Sequence, residues 1–276
     1  MSVATLDRSI LPTSESELCD CIRSANSPFD IRGGGTRRRP RDGTPLSTAK
    51  LTGISLYEPG AMTIVAGAGT PIAEIEAQLS KENQRLAFEP TDMTYLLGTT
   101  GQSTIGGVIA TNASGPRRMA IGAARDHMLG VRFVDGQGRA IKNGGRVMKN
   151  VTGYDLVKLM TGSWGTLGVM TEVSLKVLPT PDTQATLTFQ GLSDFEAIKL
   201  MSAALTTPYE VSGAAHLPGQ GTYLRLEGFE EQVTYRTQAL SKMLARMGEA
   251  IVTEFDWQTI RDAQPFHGRA GDVWRI

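Results

Sequence analysis

The sequence predicts an α+β protein in two parts, a larger one over residues 1–180 and a smaller one over 181–276. Three observations carry this expectation. A chain of 276 residues is long enough for about two domains. Pro179 and Pro181 interrupt the last regular pattern of the larger part just where glycine becomes scarce. Beyond them the segments read strand, helix, strand, strand, helix, strand, the order of a small α+β sandwich.

Taken in order, Ser14 to Ala25 reads as a helix, and Pro28 to Thr36 as a strand entering a glycine turn. Met62 to Thr70 gives a second strand. The next helix opens at Thr70-Pro71, with Thr70 as cap, Pro71 in the first turn and Ile72, Ile75 and Leu79 on one face. Val131 to Lys142 reads as a hairpin around Asp135-Gly136. From Leu167 to Val177 apolar and polar residues alternate, which predicts a long half-buried strand. After residue 180 come a strand near Ala185–Gln190, a helix from Ser193 with a Ser193/Glu196 capping box, and a strand pair that includes Thr222–Gly228. A helix ending before Gly248 and a strand over Ala250–Phe255 complete the order.

Composition narrows the function classes. Lys+Arg and Asp+Glu both number 28, so no overall field draws the chain to nucleic acid or an anionic membrane. The run Arg37-Arg38-Arg39-Pro40-Arg41 lacks interleaved aromatics and reads as a solvated loop or a cofactor-phosphate edge. No stretch is long and apolar enough for a membrane span, and the N-terminus lacks a secretory pattern, so the triplets at Asn112 and Asn150 read as chance matches. Cys19 and Cys21 read as reduced packing thiols, and no metal site is expected. These features point to a cytoplasmic protein.

Glycine is the unusual residue. Of 31, 23 lie between Gly33 and Gly168, which reads as backbone left open for a ligand. Arg32-Gly33-Gly34-Gly35-Thr36 offers consecutive N–H groups fit for a diphosphate, yet matches neither the G-x-G-x-x-G fingerprint nor the P-loop. Gly101 to Gly115 mixes paired glycines with the uncharged hydrogen-bonding groups of Ser103, Thr104, Thr111 and Asn112, a lining suited to a large planar ligand. Arg117-Arg118 through His127, and Trp164 to Gly168, complete the set.

Together these segments resemble the FAD-binding domain of the vanillyl-alcohol oxidase and p-cresol methylhydroxylase (PCMH) superfamily over roughly residues 8–178. SGPRR at Ser114–Arg118, ARDHMLGVR at Ala124–Arg132 and VMKNVTGYDLVKLMTGSWGTLGV at Val147–Val169 are similar to the FAD-binding E subunits of bacterial glycolate oxidases. The resemblance implies a PCMH-type domain of two α+β subdomains followed by a small α+β cap. It assigns the pyrophosphate to Arg32, Gly33, Gly34, Gly35 and Thr36. The flavin and diphosphate fall to Ser103, Thr104, Gly106, Gly107, Ala110, Thr111, Asn112 and Gly115, with Pro90 in the turn before them. The adenine or ribose falls to the backbone of Gly168 and Val169. Some members attach flavin through a histidine after the first glycine loop; here Thr36, Arg37, Arg38 and Arg39 follow, so non-covalent FAD is expected.

The implied chemistry is oxidation of glycolate or a related 2-hydroxy acid to the 2-oxo acid, with electrons passed onward. The implied partners are a larger FAD subunit and an iron-sulfur subunit, through which the protein would lie at the inner membrane. A self-sufficient oxidoreductase acting on another small alcohol, hydroxy acid or lactone, and a non-catalytic flavin-binding subunit, stay open as alternatives. No base is identified. His216 and His267 read as satisfied side chains, and Arg225, on a strand face with Tyr223 and Glu227, is a weak candidate for a substrate carboxylate. Family E subunits continue past the point where Asp272–Ile276 closes this sequence, so the cap is expected to end early.

Overall fold

The computed structural model describes residues 9–38, 40–146, 153–271 and 273. The run Val147–Thr152, the triplet at Asn150, Arg39 and most of the chain end therefore lie outside the described residues.

The larger part is built on a five-stranded antiparallel sheet of β3 (Ile54–Glu58), β4 (Thr63–Gly67), β6 (Met128–Val134), β7 (Ala140–Gly144) and β8 (Val169–Lys176). Its order is β3-β4-β8-β6-β7. Helices α2 (Ile72–Ser80), α4 (Ile105–Ala110), α6 (Ala124–His127) and α7 (Leu156–Met160) belong to the same body. They share with the sheet a core of Ile64, Ile75, Leu79, Phe88, Ile105, Ile109, Val173 and Leu175. A parallel pair, β1 (Phe29–Arg32) and β2 (Thr44–Ser47), sits beside it with α1 (Glu15–Arg23). Leu18, Cys19 and Leu46 from this pair and helix pack on Val134 and Val169, so one end of the large sheet serves both clusters.

Three local expectations change. Thr70 does not cap α2; Pro71 holds that position, and the Thr70 hydroxyl accepts from Gly53 N at 3.0 Å. The bond to a distant strand end outcompetes the local cap. The hairpin loop runs from Asp135 to Arg139, because the Asp135 carboxylate accepts from the amides of Gln137 and Arg139, each at 2.9 Å. The long strand starts at Val169, and both of its faces are largely buried because β4 and β6 flank it and α4 packs against it.

The smaller part follows the predicted order. Strands β10 (Thr183–Phe189), β11 (Gly213–Leu217), β12 (Gly221–Gly228) and β13 (Ala250–Thr253) form an antiparallel sheet ordered β11-β12-β10-β13. One face packs on α8 (Asp194–Leu205) and α9 (Glu230–Leu244) through Leu187, Phe189, Leu200, Leu224 and Leu240. Ser193 and Glu196 close the expected capping box. The other face carries Tyr223, Phe255 and Trp257 in mutual contact.

A buried ion cluster joins the two parts. Arg85 lies on the short strand β5 (Gln84–Arg85), which pairs with β9 (Leu178–Pro179). Its Nη1 donates to Glu227 Oε1 at 2.8 Å, and Arg117 Nε and Nη2 donate to the same carboxylate at 2.8 and 2.9 Å. Arg225, 1% exposed, grips Glu89 with both Nη atoms at 2.8 and 3.1 Å. Arg225 thus binds carboxylates of its own chain, which removes it as the weak candidate for a substrate carboxylate. Glu89 adopts φ +53, and the chain after it, Pro90 to Asp92, walls a cavity of about 1150 Å³.

Candidate functional site

The first cavity, about 810 Å³, opens where the loop after β1 meets the start of α4 and the entry to β8. Arg32, Gly33, Gly34, Gly35, Thr36, Thr104, Gly106, Gly107, Ala110, Thr111, Gly168 and Val169 all line it, as do Thr48, Ala68, Trp164 and Met170. The second cavity, about 1150 Å³, holds Pro90 and Ser103 together with Thr91, Asp92, Tyr95, Gln102 and Arg261. Asn112 and Gly115 line neither. Asn112 Oδ1 accepts from Arg125 N at 2.9 Å, and Gly115 packs against Glu89.

Many of the glycines serve chain-to-chain contact, which revises the idea that they stand open for a ligand. A Cβ on Gly34 would lie 1.7 Å from the Gln102 carbonyl oxygen, and one on Gly106 would lie 2.7 Å from Ala68. The two glycine-rich tracts are therefore pressed backbone to backbone, and that contact shapes the cavity wall. The amides of Ile105 and Gly106 already donate to Thr70 and Ala68, and Gly107 N donates to Thr104 Oγ1. The first loop differs. Among the described residues, the amides of Gly33, Gly34, Gly35 and Thr36 donate to no backbone or side-chain acceptor. Consecutive free amides at a cleft are the backbone form of an anion site.

Arg37, in the run read as a solvated loop or a cofactor-phosphate edge, is a further candidate side chain of the site. It is largely buried between the two cavities, lining the first and donating to Thr91 Oγ1 at 3.1 Å and Ser103 Oγ at 2.7 Å in the second, which favours the cofactor-phosphate edge over the solvated loop. Its hydrogen-bond partners are neutral hydroxyls, and its buried Nε has none. Burial lowers its pKa to about 10, and the charges of Asp92 and Asp262 only partly oppose this. A buried guanidinium without a carboxylate in contact is costly unless an anion approaches it. Free amides and this charge together fit a diphosphate. The only sequence signal for Arg37 was its place directly after the glycine loop. Arg38, by contrast, is tied to Asp30.

The histidines are engaged as expected. His216 contacts Thr222 and Asp194. His267 Nε2 donates to Asp262 O at 3.0 Å, and its ring stacks on Tyr95 at the edge of the second cavity. His127 donates to Ile121 O against Phe88, and burial lowers its pKa. Cys19 and Cys21 are free thiols, and no group of metal-ligating side chains occurs among the described residues.

The free-amide loop, the buried cation and the mixed fold around a divided cleft define a protein that binds a diphosphate-bearing cofactor. The chain belongs to the FAD-binding domain family, whose model matches residues 7–144. It is 37% identical over 257 residues to glycolate oxidase subunit GlcE of Escherichia coli strain K12, covering 92% of this chain and 69% of that protein. In fold it is similar to an alkyldihydroxyacetonephosphate synthase (TM-score 0.73, 19% identity, 94% of this chain and 54% of that one). It is also similar to substrate-bound p-cresol methylhydroxylase (TM-score 0.67, 11% identity, 89% and 57%). The chain thus spans little more than half of these solved proteins, and FAD is the cofactor that its family defines.

An Arg37→Met variant keeps the packing volume and removes the charge. Its FAD dissociation constant is expected to rise about 10- to 100-fold, the range for a hydrogen bond to a charged group, as read by flavin fluorescence titration. An unchanged constant would remove Arg37 from the site.

Proposed function

We propose that the chain is the FAD-carrying subunit of an oxidoreductase complex that oxidises glycolate or a related small 2-hydroxy acid to the 2-oxo acid and passes the electrons onward. The observation that carries this is the row of free amides from Gly33 to Thr36 beside Arg37, in a chain so similar to a glycolate oxidase subunit. When bound, FAD supplies the two-electron acceptor for the hydrogen on the alcohol carbon. The protein's part is to bind and orient. The amides of Gly33, Gly34, Gly35 and Thr36 hold the diphosphate, and Arg37 adds the charge. Thr104 lines the first cavity, and Ser103 and Pro90 carry the site into the second, where Thr100, Gly101 and Ser103 let a planar ring approach. Gly168 and Val169 flank the nucleoside end.

The boundary near residue 180 divides the FAD-binding part from the cap, and the ion cluster spans that division. FAD is held without a covalent bond, since Thr36, Arg37, Arg38 and Arg39 follow the first glycine loop, where some members of the family present a histidine. No helix among the described residues is long and apolar enough to cross a membrane. In this reading the protein lies in the cytoplasm, joined to a larger FAD subunit and an iron-sulfur subunit that bring it to the inner membrane.

The purified protein is expected to show a flavin absorbance spectrum, and acid precipitation should release all the colour into the supernatant. Anaerobic mixing with glycolate should bleach the flavin, alone or once partner subunits are added. Bleaching only with lactones or other alcohols would favour a self-sufficient enzyme. A chain that stays colourless after incubation with FAD would refute the assignment.

A further inference from the structure

Building on the FAD reading above, on which it rests, we propose that the indole of Trp164 is the surface against which the adenine ring of FAD stacks.

Ser163 to Thr166 form a tight turn shortly before β8. Thr166 N donates to Ser163 O at 2.9 Å, and the two central residues, Trp164 and Gly165, have φ of +55 and +76. Positive φ at both central positions is the mark of a type I′ turn, which favours asparagine, aspartate or glycine at the first of them. Gly165 suits its place. Trp164 does not, because a bulky side chain is strained in the left-handed region. Packing does not account for it either: the side chain is 42% exposed and joins none of the apolar clusters among the described residues. Strain of this kind persists where the surrounding structure enforces it, and it gathers at ligand clamps.

The enforcement comes from α4. Gly162 N donates to Ile109 O at 3.0 Å and Trp164 N to Ala110 O at 2.9 Å, so the turn is fastened to the last residues of that helix. The opposite end of the helix meets the loop of free amides, where a Cβ on Gly33 would lie 2.3 Å from Thr104 Oγ1. Six residues of helix, about 9 Å, thus separate the diphosphate end from the turn and leave room for a ribose between phosphate and base. Among the described residues that line the first cavity Trp164 is the only aromatic one, and the apolar Ile31, Val169 and Met170 line it too. Arg37 reaches Ser103 on the far side, toward the flavin, which leaves the first cavity to the nucleoside. A purine offers a flat face that an aromatic ring can cover and a polar edge that backbone groups can meet.

The full-length chain, freed of flavin, would be titrated with FAD and with ADP, which carries the adenine, ribose and diphosphate but no flavin. In Trp164→Asn both dissociation constants should rise by the same factor, about 5- to 100-fold, the worth of one base–aromatic stack. The melting temperature of that variant without ligand should equal or exceed the wild-type value, because the turn gains the Asn-Gly pair that it favours. Trp164→Phe should keep both affinities within about threefold, since a phenyl ring also stacks, yet lose the quenching of tryptophan emission that ADP causes in the wild type. A wild-type chain that takes up no FAD would overturn the cofactor reading and the stacking together. Where the wild type binds FAD, four results would overturn the stacking alone: constants unchanged in Trp164→Asn; no quenching of the wild type by ADP; a constant that rises for FAD and not for ADP, which would put the indole on the flavin; or a lower melting temperature in Trp164→Asn, which would make the indole a packing group.

Discussion

Arg225→Met is expected to lower the melting temperature by about 10 °C, the largest loss from any single side chain outside the apolar core. The substitution fills a similar volume but leaves Glu89 without the guanidinium that grips both its oxygens, and breaking one side of a buried pair costs about 3–5 kcal/mol. Glu89 retains Arg117, which tempers the loss. The same cluster sets an acid limit. Burial alone would raise the Glu227 pKa, but the hydrogen bond from Arg117 and the charges of Arg117, Arg225 and Arg85 outweigh it and hold the group at about 2. A carboxyl held below its ordinary value contributes stability above that value and loses it as pH falls towards the folded one. The melting temperature should therefore fall as pH drops from about 4.5 to about 2, and Glu227→Gln should flatten that part of the curve. A flat wild-type profile, or a melting temperature unchanged in Arg225→Met, would show that the cluster contributes no net stability.

Gly34→Ala is expected to yield protein without bound flavin. The added methyl would sit 1.7 Å from the Gln102 carbonyl, a backbone atom that can yield only if the two glycine tracts separate. Separation displaces the amides of Gly33 to Thr36 and the Ser103 hydroxyl that Arg37 holds. The readout is the ratio of flavin to protein absorbance after purification. Gly60→Ala is the control, since nothing lies within 4 Å of its added methyl, and that variant should keep its colour. If Gly34→Ala is fully yellow, the tight contact is not what shapes the cavity.

Much of the fold was legible because it rests on local patterns. The Ser193/Glu196 box, the helical face of Ile72, Ile75 and Leu79, and the strand and helix order after residue 180 need only neighbouring residues to be read. What was misread depends on contacts distant in sequence. Thr70 looks like a cap until Gly53 is placed beside it, and Arg225 looks like a free cation until Glu89 arrives from 136 residues away. Arg37 belonged to a run of four charged residues that suggests solvent, and only the packing of Thr91 and Ser103 around it reveals a buried charge. The glycine-rich tracts do border the first cavity, and close backbone packing accounts for several of their glycines.

The joint between the two parts also bears on how such chains can be recombined. Glu89 and Arg117 belong to the larger part, Arg225 and Glu227 to the smaller, and each carboxylate is neutralised by arginines from both. A smaller part exchanged for that of a relative without this complement would strand buried charges directly behind Pro90 and Thr91. Grafts should therefore transplant Arg225 and Glu227 with the new smaller part, or replace all five charged partners, Arg85 included, together by apolar residues.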